Sequence, residues 1–64
     1  MSEKTKAYEQ ALAIAANLTA ATLQDESAAG WVMRALRGQG VILTQDDLRD
    51  VAEKVVQEVR RRRQ

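Results

Sequence analysis

The chain has 64 residues, 45% of them apolar and 30% charged, with a net charge of +1 and no cysteine, histidine, proline or phenylalanine. That length allows one domain, 1–64, which buries roughly 60% of the surface its unfolded form exposes, a margin that disulfides, a structural metal or oligomerisation usually supplements. Without cysteine or histidine, disulfides are excluded, zinc lacks its preferred ligands, and the common thiolate nucleophile and general base of catalysis are missing. Oligomerisation is the supplement that remains. The N-terminal "MSEKTKAYEQ" is polar and mixed in charge, unlike a secretory signal. The uncharged run from Gln10 to Gln24 is fifteen residues long, short of the ~20 apolar residues that span a bilayer. A cysteine-free chain with neither feature is expected in the cytoplasm, away from membranes.

Alanine, leucine, glutamine, glutamate and arginine dominate, and no alternating strand pattern is sustained. These features predict an all-α fold of three short helices, about 3–22, 26–38 and 45–62. They form a small helical bundle completed by oligomerisation. In the first helix, Ala7, Ala11, Ile14, Leu18 and Ala21 lie on one stripe, while Tyr8, Leu12, Ala15, Thr19 and Leu23 lie on its neighbour. The two stripes together exceed the ~100° face of a helix lying on a domain surface. Two other helices cannot easily surround such an element, so a second copy or another partner is expected to cover it. The alanines would let a foreign backbone approach closely.

The segment "TLQDES" reads as a junction. Thr22 with Asp25 matches a capping box, and Ser27 is a rival N-cap. The second helix carries Ala29, Val32, Met33 and Leu36 on its inner stripe, turns Arg34 and Arg37 toward water, and ends at Gly38 or Gly40. Gly30 inside it costs about 1 kcal/mol relative to alanine, so something is expected to pack closely there. Trp31, one position off the inner stripe, suits either a core anchor or a contact between subunits. The third helix has the clearest start. Thr44 is its N-cap, Asp47 stands three residues on, and Leu43 can fold back on Leu48. Leu48, Ala52, Val55 and Val59 form its seam, widened by Val51 and Val56. Arg49 with Glu53, Asp50 with Lys54, and Glu58 with Arg62 are i,i+4 pairs on the outer face.

The acids Asp46, Asp47, Asp50 and Glu53 could hold a divalent cation in principle, but they lack the loop spacing of a calcium site and suit a helix N-terminus. No metal or cofactor is expected. The run Arg60, Arg61, Arg62 and Arg63 could grip phosphates together with Arg34 and Arg37. The plainer reading is a basic tail, 60–64, that caps the last helix and frays. No aromatic residue is interleaved for base stacking, and the last helix begins with acids that would repel a nucleic-acid backbone. The sequence therefore predicts a non-enzymatic, regulatory protein-binding module: an adaptor, inhibitor or assembly protein acting as a homodimer and engaging a larger protein. Its expected interface is Leu12, Ile14, Leu18, Leu23, Trp31 and Met33. The alternative is a small nucleic-acid-associated regulator using the arginines.

Overall fold

A computed structural model describes residues 2–63; the end residues Met1 and Gln64 of the expected domain and tail lie outside the described residues. Four helices, α1 (Glu3–Ala16), α2 (Ala20–Gln24), α3 (Ala28–Gly38) and α4 (Gln45–Arg62), account for the regular structure, and the described residues contain no strand. The all-α expectation holds, but the count of three does not, because the first predicted helix is divided. Asn17 turns its side-chain amide back on the Ala13 carbonyl, 3.1 Å away. Thr19 takes an extended backbone and accepts from the Thr22 amide at 3.2 Å, becoming the N-cap of a new five-residue helix. Short polar side chains that bond their own backbone favour helix ends over helix interiors, and here two of them fall within three residues.

The junction before α3 also differs from expectation. Thr22 lies inside α2, and Asp25 accepts from both the amide and the hydroxyl of Ser27 at 2.8 Å, in the manner of an Asx turn. Ser27 then precedes α3, which starts two residues later than predicted. The C-terminus of α3 follows its glycines. Gly40 adopts φ 82°, its amide bonds the Arg37 carbonyl, and the Val41 amide bonds the Leu36 carbonyl. That pair of bonds is a Schellman motif, and its left-handed residue favours glycine. The start of α4 is as expected: Thr44 caps the Asp47 amide at 3.2 Å, and Asp46 and Asp47 occupy the positive first turn.

α4 is the central element and touches the other three. It supplies Leu48, Val51, Ala52, Val55, Val56 and Val59 to the core. Ala7, Ala11 and Ala15 of α1, Leu23 of α2, and Ala28, Val32 and Leu36 of α3 complete it, with no polar residue buried among them. The alanine stripe of α1 is thus covered from within. Three small side chains at four-residue spacing let α1 lie close against α4 and α3, the close approach that the sequence suggested for a foreign chain. Tyr8, Leu12, Ile14 and Leu18 are half-buried against the same core. The radius of gyration is 10.7 Å, equal to the ~10.7 Å that a closed 64-residue domain should show. One copy therefore closes its own core.

An ion-pair cluster fastens the start of α1 to α4. Lys4 Nζ lies 2.8 Å from Asp50 and 3.7 Å from Asp47, and Lys54 lies 3.2 Å from Asp50. The hydrogen bond from Lys4, then that from Lys54, holds the Asp50 carboxyl below its ordinary value of 3.8. A depressed carboxyl contributes stability that is present above its unfolded value and lost as pH falls through the folded one. Acid titration followed by circular dichroism should therefore show a small loss of stability beginning below pH 3.8. Asp50→Asn should remove that increment, and added salt should shrink it because the groups are exposed.

Candidate protein-binding surface

A closed core makes the large apolar side chains left outside it informative. Among the described residues these are Trp31, 52% exposed, and Ile42, 85% exposed. Trp31 stands on the outer edge of α3 because the inward positions, Ala28, Val32 and Leu36, are spaced by four and leave residue 31 to one side. Ser27, Gly30 and Arg34 join its indole in lining a shallow cleft of about 270 Å³. Apart from its chain neighbours and its own helix backbone, nothing among the described residues lies within 4 Å of where a Cβ on Gly30 would stand. The close packing expected against this glycine is therefore not found in the structure. Arg34 forms no ion pair among the described residues. Arg37, one turn further along, donates to the side-chain oxygen of Gln45 at the start of α4.

The other expected interface residues are placed differently. Leu23 is fully buried and belongs to the core: it is the residue by which α2 is pegged beneath α3 and α4, so it offers no surface to a partner. Leu12, Ile14, Leu18 and Met33 are half-buried against the core, each with part of its surface left in water. Ile42 was missed. It sits between Val41 and Leu43, both packed on the core. Val41 and Leu43 turn inward and Ile42 between them turns outward, the alternation that an extended segment produces.

The arginines divide into two groups. Arg34 and Arg37 lie exposed on α3. Arg60, Arg61 and Arg62 form the last turn of α4 and Arg63 its C-cap, and the side chains of all four have partners within the chain. Arg60 Nε donates to the Leu23 carbonyl at 2.6 Å, and its Nη2 donates to that of Asp25 at 3.1 Å. Arg63 donates to the carbonyls of Leu18 at 3.0 Å and Ala16 at 2.7 Å. These acceptors lie at the ends of α1 and α2, where helix carbonyls run out of intrahelical partners; that of Asp25 also accepts from the Ala28 amide. Arg61 and Arg62 both pair with Glu58, at 2.6 and 3.1 Å. Arg60 and Arg63 thus each commit two of their five N–H donors to backbone carbonyls. Of the expected i,i+4 pairs, Asp50–Lys54 and Glu58–Arg62 form, whereas Arg49 and Glu53 do not pair.

Among the described residues no three histidine, cysteine, aspartate or glutamate side chains converge as metal ligands, and no helix is long and apolar enough to cross a membrane. The fold and its surface define a small four-helix module with one exposed tryptophan cleft. Comparison with known proteins finds no matching family model, no similar curated protein and no similar solved structure.

Proposed function

We propose that this chain is a non-enzymatic protein-binding module of the cytoplasm, a small adaptor, inhibitor or assembly protein that acts as a homodimer and meets other chains through the outer face of α3. The observation that carries this reading is the exposure of Trp31 beside a core that is complete without it. Tryptophan is among the residues most enriched at the energetic centres of protein interfaces, where truncation costs 2 kcal/mol or more, roughly 30-fold in affinity. The half-buried Leu12, Ile14, Leu18 and Met33 offer further apolar area to such contacts.

Trp31→Ala is the test. Its thermal midpoint should stay within about 2 °C of the parent, as expected of a side chain outside the core. Its capture of partners from a lysate of the source cells should fall by roughly 30-fold or more. Unchanged capture by a folded variant would remove the α3 surface from the proposal. A low-salt shift of random duplex DNA, lost on deleting residues 60–64, would put nucleic-acid binding in its place.

A further inference from the structure

We infer that residues 18–26, which carry α2, form a latched leaf that opens as one unit while α1, α3 and α4 stay packed. The inference goes beyond the binding reading above and stands whether or not Trp31 meets a partner. The three longer helices pack on one another directly, and among the described residues they hold every buried side chain except Leu23. α2 is five residues long, too short to persist alone, and non-helical backbone flanks it at 17–19 and 25–27. The chain therefore has a place to bend on either side of it.

The fastenings of this segment are few. From within, Leu23 is fully buried and Leu18 half-buried against the core. From outside, Arg60 holds the carbonyls of Leu23 and Asp25, and Arg63 holds that of Leu18. Among the described residues these are its long-range hydrogen bonds, and no ion pair includes it. Its other bonds are local. The amides of Thr22 and Leu23 bond Thr19, and that of Asp25 bonds the Thr22 carbonyl, so these close within the segment and can travel with it. At its ends the Leu18 amide bonds back to the Ala15 carbonyl, and the Asp25 carboxylate takes the Ser27 amide and hydroxyl. Opening exposes one buried leucine and frees the Arg60 and Arg63 donors, and it returns the conformational freedom of the whole segment. Unfolding the remainder exposes the shared core of three helices at once. The cheaper event is the opening of the leaf, which bares the seat of Leu23 against α3 and α4.

Native-state hydrogen exchange of the full chain, read at guanidinium concentrations below the unfolding transition, tests this. The Leu23 and Asp25 amides should share one protection factor, roughly tenfold or more below that of Val55 in the middle of α4. Its denaturant slope should be less than about half as steep, because the slope scales with the surface exposed. Leu48→Val adds an independent readout. Leu48 is buried at the opposite end of α4 from Arg60, so the substitution weakens the three-helix core in the open and closed forms alike. It should speed exchange at Val55 about fivefold and leave Leu23 and Asp25 within about twofold of the parent. Leu23 and Asp25 amides that follow Val55 in protection, slope and response to Leu48→Val would make the chain one cooperative unit and overturn the inference. Exchange that differs between the two amides and ignores denaturant would be fraying of single hydrogen bonds, and would overturn it too.

Discussion

Leu23→Ala should cost about 3 kcal/mol of stability and lower the thermal midpoint by roughly 12–24 °C, with no change in association of the molecules that remain folded. The size of the effect follows from how α2 is held. It is five residues long, far too short to persist alone, and Leu23 is its buried residue. Removing three carbons from a site with no exposed surface leaves a cavity beneath α3 and α4. A domain of this length is stable by only about 3–10 kcal/mol, so the variant should sit near its unfolding threshold at 37 °C. Circular dichroism melts with sedimentation of the folded fraction would check both halves. A variant that melts like the parent but no longer associates would place Leu23 on an interface after all.

Much of this architecture is legible from local chemistry. Thr44 with Asp47 announces α4, and Gly40 announces the end of α3, because capping and left-handed turns are decided within a few residues. The division of the first helix was legible too, had Asn17 and Thr19 been weighed as helix enders against the apolar stripes around them. Periodicity favoured one long helix; two short polar side chains overrode it. The alanine stripe was read correctly as a close-approach surface but assigned to the wrong neighbour. Spacing reports that a face is small and apolar, and it cannot report which helix covers it. The same holds for Trp31, whose place one step off the inner stripe favoured a core anchor without excluding the surface, and the positions of Ala28, Val32 and Leu36 turn it outward. Arg60 lay furthest from reach. Its partners are 35 and 37 residues away, and a basic run at a helix end looks the same whether it frays or reaches back.

That reach is the basis of the second large effect. Arg60→Ala should cost roughly 1–2 kcal/mol, because hydrogen bonds from a charged donor are stronger than neutral ones and the Leu23 carbonyl would lose its partner, while that of Asp25 would keep only the Ala28 amide. The half-buried guanidinium bridges the Leu23 and Asp25 carbonyls, one at the end of α2 and the other at its C-cap. Through it, the last turn of α4 holds the short helix from outside while Leu23 holds it from within. Arg60→Lys separates geometry from charge. A lysine still complements the negative end of a helix, but it cannot offer two planar N–H donors to two carbonyls at once. It should therefore recover less than half of the loss. Native-state hydrogen exchange should show faster exchange at the amides of Leu23 and Asp25, which bond back to Thr19 and Thr22, while those deep in α4 change little. Arg63, more exposed at its carbonyls of Ala16 and Leu18, should contribute only a few tenths of a kcal/mol when replaced alone. If lysine at position 60 restores full stability, the arginine acts as a charge at a helix end and the bridge contributes nothing of its own. If it does not, Arg60 is a strap whose paired donors tie the end of α2 to the last turn of the central helix.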